Sequence, residues 1–150
     1  MEARALTSKA WTTGALLVVV AALLVVGVVS GTPIRHVLQV VPGVVLLAAG
    51  PHRRPWAACA ATAVFALWLF FMALIWLYLL GLAQIITGRF TPVEVVLTVV
   101  IGVAALVGLV AGCRVRGMPA WATRIAVFLL SAAAQVGVVW LSIQPSFANR

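Results

Sequence analysis

Acid–base, metal and nucleophilic chemistry would have to come from very few side chains here: the carboxylates Glu2 and Glu94, the histidines His36 and His52, and the cysteines Cys59 and Cys113. General acid–base catalysis by paired carboxylates needs both acids in one site. Glu2 precedes the first apolar run and Glu94 opens a much later one, so a pair inside the fold is excluded. His36 and His52 are separated by about 24 Å if the chain between them is helical. That distance excludes a shared metal or a bis-histidine haem within one chain. Ser131 falls inside an apolar run with no base near it in sequence, which argues against a nucleophilic hydrolase. No phosphate loop, dinucleotide fingerprint or clustered metal-ligand motif occurs. The expectation is a protein that is not an enzyme and carries no cofactor and no metal.

A second set of polar residues lies within or beside apolar runs, where each is costly enough to be a site candidate. Arg35, His36, Gln39, Gln84, Arg89 and Glu94 form a candidate outer polar cluster, with Thr87, Ser142 and Gln144 at a similar depth. Together they suggest an outward-facing polar vestibule. Each also has a structural reading. Thr91-Pro92-Val93-Glu94 has the spacing of a capping box, in which Thr91 and Glu94 satisfy each other's backbone amides. Arg35 can reach headgroups along its aliphatic stem. Gln39, Gln84 and Gln135 suit hydrogen bonds between helices.

The elements that must position these groups are membrane spans. Of 150 residues, 65% are hydrophobic and 8% charged, with a mean hydropathy of +1.24. Soluble domains carry about 25% charged residues, so this chain lacks the polar surface to cover a water-soluble core. Five apolar runs appear, at 11–29, 33–50, 55–87, 92–112 and 119–143, within one membrane domain over 1–150. The expected fold is an all-α bundle of five transmembrane helices with the N-terminus cytoplasmic. Four spans plus a short or broken second helix is the alternative, because 33–50 contains Pro42-Gly43. Proline opens each later run, at Pro33, Pro55, Pro92 and Pro119. Short turns between runs predict antiparallel packing of sequence neighbours. The first run can also be read as a cleaved signal peptide, given Arg4 and Lys9 ahead of it, although it is longer than a usual apolar signal core.

The net charge of +8 sits between the runs instead of clustering as nucleic-acid binding requires. With five spans, Arg4, Lys9, Arg53, Arg54, Arg114, Arg116 and Arg124 fall on the cytoplasmic side and Arg35, Arg89 and Arg150 outside. Four spans split the same charges almost evenly. The positive-inside rule therefore favours five, and anionic-lipid contact over nucleic acid.

The third run would be about 50 Å long as one helix, against a hydrocarbon core of about 30 Å. It must tilt, kink near Gly81 or project beyond the bilayer. Trp11, Trp56, Trp121 and Trp140 lie near span ends, where indoles prefer the interface; Trp68 and Trp76 read as packing residues. Ladders of small residues let helices approach closely. Ala104, Gly108 and Gly112 form one, with Ala58, Thr62 and Ala66 at the same spacing in the third run, and Ala133 with Gly137 in the last. Cys59 and Cys113 read as small packing residues with reduced thiols.

These features predict a small multi-pass protein of a bacterial cytoplasmic membrane. Its expected role is a non-catalytic subunit or scaffold, associating with itself or a larger membrane complex. A small transporter or channel using the polar vestibule is the alternative.

Overall fold

Prolines 33, 55 and 92 each stand at the start of a helix, where the missing N–H would have had no partner. The computed structural model describes residues 2–86, 88–115, 117 and 120–148. Among them run five long helices: α1 (Glu2–Val29), α2 (Pro33–Ala49), α3 (Pro55–Leu79), α4 (Pro92–Cys113) and α5 (Trp121–Ser142). A single turn, α6 (Pro145–Ala148), follows. No strand occurs among the described residues. The segment Thr7–Val29 of α1 and the whole of α3, α4 and α5 are long and apolar enough to cross a membrane; α2, at 17 residues, is shorter. The Met118–Pro119 opening expected for the last helix lies outside the described residues, as do Thr87, Arg116 and Arg150.

The third run, expected to extend to residue 87, is helical only to Leu79. Gly81 adopts φ +72° and donates to the Tyr78 carbonyl at 2.9 Å, while Leu82 donates to the Leu77 carbonyl at 2.9 Å. These are the two bonds of a Schellman cap, which satisfies the bare carbonyls of a helix end and turns the chain aside. Excess length is thus absorbed by a stop at Gly81. The connection beyond it is tied back to α3: Tyr78 donates its hydroxyl to the Gly88 carbonyl at 2.9 Å, and its ring meets Phe90.

Helix α3 touches all four other long helices. Around it, α1 packs on α2 and α4, and α5 packs on α3 and α2. Close approaches fix the directions. Gly27 of α1 lies against His36 of α2, and Gly43 of α2 against Val20 of α1, so these two run antiparallel. Gly108 and Gly112 of α4 lie against Phe65 and Thr62 of α3, also antiparallel. Helix α5 runs parallel to α3: the Cys59 thiol donates to the Arg124 carbonyl at 3.6 Å, and Ser131 donates to the Ala60 carbonyl at 2.9 Å.

The expectation that all sequence neighbours pair antiparallel fails once. Helices α4 and α5 make no contact with each other among the described residues. Helix α4 packs on α1 and α3, while α5 packs on α3 and α2 instead. The apolar core comes from the first four helices. Leu16, Val19 and Leu23 of α1, Val64, Phe65 and Trp68 of α3, and Ile101 and Ala105 of α4 are its centre. From α5 only Gln135 and Ser142 are buried.

Candidate functional site

Apart from threonines bonded to their own helix, such as Thr12 and Thr62, the buried polar side chains gather along one seam and at one end. The seam joins α5 to its neighbours. Ser131, Gln135 and Ser142 are spaced to lie on one stripe of a helix, and that stripe faces α3 and α2. Ser131 donates to the Ala60 carbonyl of α3. Gln135, 1% exposed, donates its amide to the Gln39 carbonyl of α2 at 3.1 Å. Gln39, 5% exposed, donates its own amide to the Ser142 hydroxyl at 2.9 Å, and Ser142 donates that hydroxyl to the Val139 carbonyl at 2.7 Å. Lipid supplies little hydrophobic drive between helices, so such bonds act as the attachment.

Among the described residues, two buried side-chain atoms lack partners: Gln135 Oε1 in the seam and Arg35 Nε near the start of α2. Buried polar atoms are nearly always hydrogen-bonded, so these two stand out. Pro42, inside α2, adds a third irregularity, since it has no N–H for the Leu38 carbonyl one turn earlier.

The end of the bundle that holds the first turns of α2 and α4 carries the remaining groups. Glu94, buried, accepts from the Thr91 amide at 2.6 Å and from the Thr91 hydroxyl at 2.8 Å; the Glu94 amide donates to Thr91 Oγ1 at 3.3 Å. This is a complete capping box. Arg35 and Glu94 both lie within electrostatic reach of His36, whose Nδ1 is 3.1 Å from the Thr32 carbonyl and 3.2 Å from its hydroxyl.

Of the six residues of the candidate outer cluster, Arg35, His36 and Glu94 thus share one end, and Gln39 turns into the seam. Gln84 and Arg89 are exposed in the connection between α3 and α4. The Glu94 carboxylate engages Thr91, and among the described residues it pairs with neither Arg35 nor Arg89. His52 lies beyond the far end of α2, away from His36.

The packing candidates divide in the same manner. Gly108 and Gly112 face α3 and Ala104 packs against the core, whereas Ala133 and Gly137 of α5 face outward, with no atom within 4 Å of where a Gly137 Cβ would stand. The pairing of Gln39 with Gln135 and Ser142 was not anticipated as a site. Its signal was present in the spacing of Ser131, Gln135 and Ser142. No family model, curated protein or solved structure matches this chain.

Proposed function

We propose that the chain is a non-catalytic subunit of a bacterial cytoplasmic membrane, which spans the bilayer five times from a cytoplasmic N-terminus and offers α5 to a transmembrane helix of a partner. The single observation that carries this reading is the outer face of α5. Lipid-facing helix surfaces favour large apolar side chains, and helix interfaces favour small ones. Ala133, Ala134 and Gly137 form an exposed patch of small residues on α5. The corresponding ladder of α4 is filled by Phe65 and Thr62 from within the chain; at Gly137 of α5 no neighbouring helix comes within 4 Å among the described residues. Only 11% of the α5 span is buried, against 39% for α1 and α4 and 50% for α3.

The five-span reading is supported by α2, which follows α1 antiparallel from Gly27 to Val20 at a length of about 26 Å. Arg53, Arg54, Arg114 and Arg124 then share one side, in keeping with a cytoplasmic location for it. The tagged protein, extracted in mild detergent, should co-purify with a stoichiometric membrane protein or with a second copy of itself. Gly137→Leu should abolish that association while leaving thermal stability unchanged. An unaltered complex with Gly137→Leu rejects the reading.

A second reading, a small transporter or channel, draws on the unpartnered Gln135 Oε1 and the Pro42 interruption of α2. Interrupted short helices line substrate sites in transporters. Solute flux into liposomes containing the purified protein, lost in Gln135→Leu with the fold retained, would select it.

A further inference from the structure

The bundle end opposite Glu94 carries a different kind of surface. There the first turns of α3 and α5 lie side by side, joined by the Cys59–Arg124 contact. Between them runs a groove of about 260 Å³, lined by Cys59, Arg124, Ile125, Phe128 and Leu129 and open to the outside of the bundle. Its floor is apolar. Arg124, which lines the groove with its aliphatic stem, is exposed and in the first turn of α5, with no hydrogen-bond or ion-pair partner for its guanidinium among the described residues.

Charge on this end is one-sided. Arg54 precedes α3, Arg114 follows α4, and Arg53 is exposed beside them. Glu94 is at the other end. Glu2 opens α1, where Arg4 and Lys9 outnumber it. Neither α3 nor α5 has a side-chain cap on its first amides, and both helix N-termini direct positive dipole ends here.

We infer that this groove is a binding site for one anionic diacyl phospholipid, with the phosphate on the Arg124 guanidinium and an acyl chain along Ile125, Phe128 and Leu129. Charge complementarity selects the headgroup, and the open apolar floor selects an amphiphile over a free anion. The volume is below the roughly 300–1,000 Å³ of an enclosed small-molecule site, and it suits a segment of a chain lying lengthwise. A cation next to a cleft between membrane helices is the arrangement that holds acidic headgroups elsewhere.

The full chain, delipidated in mild detergent, is titrated with phosphatidylglycerol and with phosphatidylcholine of identical acyl chains, and bound lipid is counted by native mass spectrometry. One tightly held phosphatidylglycerol is expected, preferred over phosphatidylcholine by about fivefold, the effect of roughly one arginine near an anionic surface. Arg124→Gln should erase the preference, and Arg89→Gln, at the other end, should keep it. Equal binding of both lipids by the unaltered protein, or an undiminished preference in Arg124→Gln, overturns the site. A second measurement does not depend on that variant: with Cys113→Ser, alkylation of Cys59 by a maleimide should be slower in phosphatidylglycerol nanodiscs than in phosphatidylcholine ones. Identical rates overturn the site. So does displacement of the bound lipid by millimolar inorganic phosphate, which would make the groove irrelevant.

Discussion

The tip of the Phe65 ring lies against the backbone of Gly108 so closely that α4 has no room at that position for a single methyl group. Phe65 is fully buried, and Thr62 repeats the approach one turn away against Gly112, where an added Cβ would stand 2.5 Å from the threonine methyl. Gly108→Ala should therefore destabilise the bundle by about 1–3 kcal/mol, the usual cost of overpacking. Gly102→Ala on the same helix meets only Met72 Cβ at 4.0 Å and should be neutral. Phe65→Leu combined with Gly108→Ala should recover part of the loss. Denaturation in detergent followed by circular dichroism measures all four proteins, and a neutral Gly108→Ala would show the contact to be looser than described.

Glu94 separates the structural and transport readings. A capping box accepts glutamine as well as glutamate, so Glu94→Gln should unfold at the same temperature as the unaltered protein. Thr91→Ala removes the cap and should cost about 0.5–2 kcal/mol. Loss of a measured flux in Glu94→Gln with stability intact would instead make the carboxylate's charge functional.

The Gln135 carboxamide makes one interhelical bond and leaves one oxygen unpartnered. Such bonds within membranes average about 0.6 kcal/mol, whereas an orphaned buried acceptor costs about 1–3 kcal/mol. The second effect is the larger, so Gln135→Met should be neutral or stabilising in the same denaturation experiment. Marked destabilisation would mean that the oxygen holds a solute or a water.

Topology is testable with single cysteines in a Cys59→Ser, Cys113→Ser background. If α2 crosses the membrane, Ser30→Cys and His52→Cys should react with an impermeant maleimide from opposite faces. Arg89→Cys should share the face of Ser30→Cys, the outside for a cytoplasmic N-terminus. Labelling of positions 30 and 52 from one face would reduce the span count to four.

Much of the fold was legible because apolar length and proline position are properties of the sequence. Pro33, Pro55 and Pro92 mark where α2, α3 and α4 begin. The end of α3 was less legible: 80–87 is nearly as apolar as the helix before it, and composition does not register that Gly81 takes a left-handed conformation. The capping box was readable from Thr91 and Glu94 because its partners are three residues apart. The seam was legible only in part: Gln39 and Gln135 read as interhelical hydrogen-bond partners, but who meets whom did not, because Gln39 lies 103 residues from Ser142 and 96 from Gln135. Which helices meet is decided by packing, and here α4 and α5 part company against the rule for short connections.

Because the other four helices build the buried apolar cluster and α5 adds only the half-buried Val127 against it, α5 is fastened to the rest largely by hydrogen bonds from Ser131, Gln135 and Gln39 and by one thiol. It is an outrigger on a finished four-helix hull. A lineage could rewrite its outward side, and thereby its choice of companion, without disturbing how the other helices assemble.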